Sequence, residues 1–157
     1  MRLPVKTKML SSSLYKDILE NMPVCCVDVV LYHQGKVLLI LRKNEPEKGR
    51  WWIPGGRVYK NEMLGDAVRR KIREEIGIDV RVEKKIGVYE YFSDKTHFED
   101  VTTGTHSVPV CFVAIPVAKD VNIHIDATSS SYRWIDHIED DLDHYVKEVI
   151  QDSGVFE

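Results

Sequence analysis

The stretch from Gly55 to Ile78 constrains this chain more than any other part of it. It reads as a loop, a helix and a second loop. Gly55-Gly56 predicts a sharp turn, because glycine enters unusual backbone angles without a side-chain clash. Asn61 is a good N-cap for the helix that follows. Gly77 stands where a glycine commonly ends a helix.

Placing successive side chains about 100° apart puts Leu64, Ala67, Val68 and Ile72 on one stripe. Lys71 and Glu75 fall inside that stripe, and Glu74 lies at its edge. Arg69, Arg73 and Asp66 point the other way. A carboxylate on an inward face is costly unless it is paired or holds a cation. Two readings of Glu75 follow. It pairs with Lys71 one turn back, or it belongs to a hard-cation site in which carboxylates hold Mg²⁺ against substrate phosphates.

The same stretch resembles the signature of the Nudix hydrolases, G-x5-E-x7-R-E-U-x-E-E-x-G-U, with U aliphatic. Gly56, Glu62, Arg70, Ile72, Glu74, Glu75, Gly77 and Ile78 fill eight of its nine defined positions over 23 residues. The exception is Lys71, where that family usually has glutamate. A match of this length is far more specific than a lone glycine-rich loop.

A chain of 157 residues is long enough for one domain with a good core, here taken as residues 1–157. The net charge of −3, with no dense basic run, argues against a nucleic-acid partner. No signal peptide or apolar run of about 18 residues appears, so no membrane partner is expected. Cys25, Cys26 and Cys111 are odd in number and lack metal spacing, which suggests buried thiols in a reducing, cytoplasmic setting.

In chain order, residues 11–21 predict a short helix, capped by Ser12 or Ser13, with Leu14, Ile18 and Tyr15 on a small apolar face. Residues 24–33 and 36–43 predict two strands joined by a tight Gln34-Gly35 hairpin. Residues 44–54 read as a loop whose paired tryptophans pack or stack on a base. Residues 79–92 predict one or two strands, 93–105 a polar loop, and 106–117 another strand. Residues 119–131 are polar, residues 132–135 turn apolar again, and a helix follows over 142–151. Strands around one central helix, with helices at both ends, give an α/β fold: a three-layer α/β/α sandwich on a mixed sheet. The Nudix resemblance implies the same fold.

The likeness extends to one subgroup. Arg42-x-Asn44-x-Pro46-x2-Gly49-x-Trp51-Trp52-x-Pro54-Gly55-Gly56-Arg57-Val58-x-Lys60-x-Glu62 is similar to the GDP-mannose mannosyl hydrolases. So are Asp28, the Thr103–His106 region and Tyr132-Arg133-Trp134, and the similarity runs over residues 12 to 136. It implies a Mg²⁺ site (Mn²⁺ as substitute) made by the Gly55 carbonyl, Glu75 and Glu74. It implies that Arg42 and Arg57 hold a diphosphate, that Arg70 serves the metal shell and braces the loop through Glu62, and that Asp28 and His106 face a sugar. It also implies a homodimer. Metal plus arginine suits a diphosphate leaving group, because both place positive charge on its oxygens.

One departure matters. Where the subgroup has its metal-binding glutamine and its histidine base, this chain has Thr128 and Ser129. Serine takes no proton at neutral pH without a partner base. Asp126, His124, His97, Glu99 and Asp100 are the substitutes. The expected function is Mg²⁺-dependent hydrolysis of a nucleoside diphosphate sugar, GDP-mannose-like. The alternatives are cleavage at phosphorus of another nucleoside diphosphate derivative, and a weakly catalytic nucleotide-binding module.

Overall fold

A computed structural model describes residues 1–157. The chain runs α1 (Ser12–Asn21), β1 (Val24–His33), β2 (Lys36–Arg42), β3 (Trp51–Trp52), β4 (Gly55–Arg57), α2 (Leu64–Ile76), β5 (Val80–Val88), β6 (Tyr91–Ser93), β7 (Thr105–Pro116), β8 (Ser129–Ile135) and α3 (His144–Ser153). The expected α/β/α sandwich on a mixed sheet is the fold observed. β1 lies parallel to β7, while β5 and β6 run antiparallel to β7.

The two inner faces of the sheet bury separate cores. Val27, Val29, Leu31, Val110 and Phe112 pack against Ala67, Val68, Ile72 and Ile76 of α2. Val30, Cys111 and Val113 pack against Tyr145, Val146, Val149 and Ile150 of α3. Side chains alternate along β1 and β7, so each strand supplies both layers. α1 buries no residue, and Leu14 stays 48% exposed, so its small apolar face is not a core element.

The Gln34-Gly35 hairpin forms as expected, with both residues at positive φ. β1 pairs with β2 only beside that turn, at Tyr32–Val37 and His33–Lys36. It then leaves β2 and pairs with β4 along Cys26–Asp28. This changes the reading of the two glycines. Gly55-Gly56 is strand, not turn, and neither residue has positive φ.

Other local expectations shift by a few residues. Ser11 caps α1, its Oγ accepting from Leu14 N–H at 3.2 Å. Asn61 does not cap α2. It has φ 70° and its side-chain amide donates to Pro4 O, while Met63 occupies the cap position without a side-chain bond. Glu62 takes over the anchoring, as described below. Gly77 ends α2 in the left-handed conformation, as expected. β8 starts at Ser129, before the apolar residues that predicted it, and α3 is capped by Asp143. Of the cysteines, Cys111 is buried, but Cys25 is exposed and Cys26 only partly covered. Adjacent strand residues point to opposite faces, and near the start of β1 one face is open.

Candidate active site

β4 lies between two groups of polar side chains. On one side is the inward edge of α2. The buried Glu75 carboxylate accepts from Gly55 N–H through Oε2 at 3.2 Å. Its Oε1 lies 3.2 Å from Lys71 Nζ, which also lies 3.4 Å from Glu74 Oε2. The side chains of Glu75 and Lys71 are 8% and 16% exposed and that of Glu74 44%, as the helical stripe requires. Burial pushes the Glu75 carboxyl up to about 6, and Lys71 pulls it back. Burial alone would lower the Lys71 ammonium, but Glu75 and Glu74 hold it above the usual lysine value.

On the other side is a cleft of about 190 Å³ whose walls include Tyr15, Asp28, Arg42, Arg57, Trp52 and Tyr145. Arg42 stands at a bulge in the β2–β8 pairing, and a bulge re-aims the side chain it carries. Its Nε donates to Pro46 O at 2.7 Å. The Arg57 guanidinium stacks 4.9 Å above the Tyr15 ring, which joins α1 to the cleft. Tyr145 donates to Asp28 Oδ2 at 2.5 Å and stacks on Trp52 with centroids 5.6 Å apart. Burial raises the Asp28 carboxyl to about 6, against the lowering pull of Tyr145 and Arg42.

The paired glycines let both groups press on one strand. A Cβ at Gly55 would stand 2.1 Å from Asp28 Oδ1, and a Cβ at Gly56 would stand 2.6 Å from Lys71 Cε. Val29 N–H bonds Pro54 O and Val58 N–H bonds Cys25 O, which marks the hydrogen-bonded pairs on either side of Gly55. Gly55 therefore sits at a non-bonded position, its N–H and carbonyl turned from β1 toward α2.

Arg70 ties these parts together. It donates to Glu62 at 2.6 and 2.9 Å and to Arg57 O at 2.9 Å, and its guanidinium covers the Tyr59 ring. Glu62 also accepts from Tyr59 N–H at 3.0 Å, and Arg70 holds its carboxyl below the usual range despite burial. Arg70→Ala leaves the nearly buried Glu62 carboxylate without its main partner. A stability loss of about 3 kcal/mol is expected, or a fall in Tm of roughly 6–12 °C, together with lost activity. Thermal unfolding of the purified variant checks this, and an unchanged Tm would reduce Arg70 to a role at the site alone.

The donor set fits a divalent cation. Two carboxylates and a turned-out backbone carbonyl are hard oxygen donors, and the position already holds the ammonium of Lys71 against both carboxylates. Glu75, Glu74 and Gly55 O are the residues that would hold Mg²⁺, and the ion would place positive charge on phosphate oxygens. No group of three or more His, Cys, Asp or Glu side chains forms a complete cage by itself.

Not every expected residue meets at this place. His106 lies one residue out of phase with Thr105 and Ser107, which line the cleft. It stacks on Phe92 at 4.4 Å with its Nε2 buried and unpartnered, so it does not face the cleft. Ser129 is buried with a free hydroxyl. Among the substitute bases, Asp126 comes nearest. Its N–H bonds Glu75 O, and its charge acts on the Glu75 carboxyl. None of the five, Asp126 included, lines the cleft, and Asp100 pairs with Lys16. Sequence reasoning missed Tyr145 as a partner of Asp28, because 117 residues separate the two.

A family model for the NUDIX domain matches residues 22–149. This chain belongs to the Nudix family. Among relatives, low-salt glycan biosynthesis protein Agl8 of Haloferax volcanii is 36% identical over 133 residues, covering 85% of this chain and 83% of that protein. An ADP-ribose pyrophosphatase of Methanocaldococcus jannaschii is 43% identical over 67 residues, 43% of this chain and 40% of its own length. A MutT NUDIX hydrolase from Burkholderia pseudomallei superposes with a TM-score of 0.63 at 26% identity, covering 84% of this chain and 98% of that one. In this Nudix chain Arg70 donates to Glu74, and Glu75 accepts from the Gly55 N–H. No helix of this Nudix chain is long and apolar enough to cross a membrane.

Proposed function

We propose that this Nudix protein is a Mg²⁺-dependent hydrolase of a nucleoside diphosphate derivative, cutting its diphosphate linkage by attack at phosphorus. One observation carries the reading: Arg42 and Arg57 line a cleft whose wall includes Gly55, and the Gly55 N–H on the far side bonds the Glu75 carboxylate. That arrangement suits a diphosphate, with planar guanidinium groups toward its oxygens and a metal-holding edge beside them. Tyr15, Trp52, Tyr91 and Tyr145 supply the aromatic part of the cleft wall against which a base would pack. The position that carries the imidazole base in the mannosyl hydrolases holds the buried Ser129 here, which weighs against their attack at the sugar carbon. Relatives named as acting on ADP-ribose and on 8-oxo-dGTP support a phosphorus-centred reaction.

A second reading, attack at carbon of a nucleoside diphosphate sugar, draws on two findings. The Asp28–Tyr145 pair stands in the cleft wall with Asp28 Oδ1 beside Gly55, suited to accepting from a hydroxyl. A relative covered over 83% of its length is named for glycan biosynthesis. Turnover of ADP-ribose, GDP-mannose and UDP-glucose with Mg²⁺ in H₂¹⁸O separates the readings. Label in the nucleotide or sugar phosphate is expected; label in free sugar would replace the first reading by the second. No turnover of any nucleoside diphosphate derivative would remove both.

A further inference from the structure

Lys71 stands where the signature has glutamate, and its side chain goes inward. The stem passes the face of Gly56 so closely that a Cβ there would lie 2.6 Å from Lys71 Cε. The ammonium ends 3.2 Å from Glu75 Oε1 and 3.4 Å from Glu74 Oε2. It thus touches both carboxylates that are suited to hold a metal. Arg70 bonds Glu74 as well, at 3.3 Å, but on a carboxylate that is half exposed. For the buried Glu75, Lys71 is the side-chain cation in contact.

We infer that Lys71 is a tethered counter-cation: its ammonium occupies the carboxylate pair before metal arrives, so that Mg²⁺ binds well only together with a diphosphate. The inference rests on the metal-dependent reading above. The physical reason is competition for charge. A buried carboxylate needs a positive partner. Glu75 already has one supplied covalently by its own helix, at no cost in translational freedom. A divalent ion entering alone must break that ion pair and leave an ammonium beside itself. An ion entering with a diphosphate brings two phosphate groups that accept the displaced ammonium. Substituting glutamate by lysine at this position changes the local charge by two units, which matters at separations near 3 Å, where unit charges interact strongly. Lys71 is therefore a positioning residue that couples metal uptake to substrate.

Calorimetry with Mg²⁺ alone, and with Mg²⁺ plus a methylene-bridged nucleoside diphosphate, tests this on wild type, Lys71→Met and Lys71→Arg. Lys71→Met keeps the stem and removes the charge. It is expected to bind Mg²⁺ alone at least about tenfold tighter than wild type, with a Tm that falls in EDTA and recovers in Mg²⁺. Lys71→Arg is expected to stay close to wild type, and the diphosphate to tighten Mg²⁺ in wild type far more than in Lys71→Met. Equal Mg²⁺ affinity in Lys71→Met and wild type overturns the inference. If Lys71→Met does not fold, the ¹⁵Nζ signal of Lys71 in wild type decides. Held in EDTA and shifted by Mg²⁺ with the diphosphate, it supports the inference; unmoved, it overturns it. If neither wild type nor Lys71→Met binds Mg²⁺ even with the diphosphate, the metal reading itself fails, and the inference with it.

Discussion

Glu75→Gln is expected to keep the fold and lose Mg²⁺-dependent turnover by more than a hundredfold. The glutamine is isosteric and its oxygen can still accept from Gly55 N–H, which now fixes the carboxylate at 3.2 Å. What it removes is the charge that a hard cation needs. Losing an outer-shell partner of a metal ligand typically costs about 10–100-fold, so losing a ligand sets a larger minimum. Glu74 is the weaker position. Its side chain is far more exposed and shares itself between Arg70 and Lys71, so a neutral residue there leaves the buried ligand intact. Turnover against Mg²⁺ concentration, read beside Tm, makes the comparison. A Glu75→Gln enzyme that titrates with Mg²⁺ like wild type would show that the ion is held elsewhere.

The second large effect is structural. Gly55→Ala places a methyl group 2.1 Å from Asp28 Oδ1 and 2.3 Å from Val27 O. The carbonyl cannot retreat, because β1 is held in register with β7 from Val24 to Leu31. Relief must come from pushing β4 off β1, which also shifts the turned-out carbonyl and the Glu75 bond. Overpacking a tight core typically costs about 1–3 kcal/mol and sometimes more; a clash with strand backbone belongs at the upper end. A fall in Tm of roughly 6–12 °C is expected at this chain length, with activity lost even at low temperature. Gly56→Ala gives a different result, since its new methyl meets the flexible end of Lys71 rather than backbone. It should melt closer to wild type while displacing the ammonium from Glu74 and Glu75. Equal melting of Gly55→Ala and wild type would mean that β4 has slack, contrary to the close packing seen.

The two glycines also show where reading the chain in one dimension stops. Their composition predicted a turn, yet they form strand, because what they need from glycine is the missing side chain and not an unusual backbone angle. That need comes from Asp28 and Lys71, residues 27 and 15 positions away, on opposite faces of β4. Asn61 failed as a cap for a related reason. Glu62 is drawn to Arg70 and Tyr59, and the loop before α2 takes its shape from that anchor rather than from local capping preference.

The sequence by itself determined that a helix follows the Gly55-Gly56 pair, its inward stripe with Lys71 and Glu75, its glycine stop, the Gln34-Gly35 hairpin and the family, though not where that helix begins. All of these are properties of spacing along one segment, where the 3.6 and 2 residue periods and the turn chemistry act locally. The Glu62–Arg70 pair was legible too, because eight residues of loop and helix join its members. Only the tertiary structure decided that β1 leaves β2 for β4, that a bulge turns Arg42 into the cleft, that His106 falls out of phase with it, and that Tyr145 reaches Asp28. Those depend on strand register and on which helix covers which face. A register slip of one residue moves every side chain to the other side, and nothing within a single segment specifies which of the two a distant partner will meet.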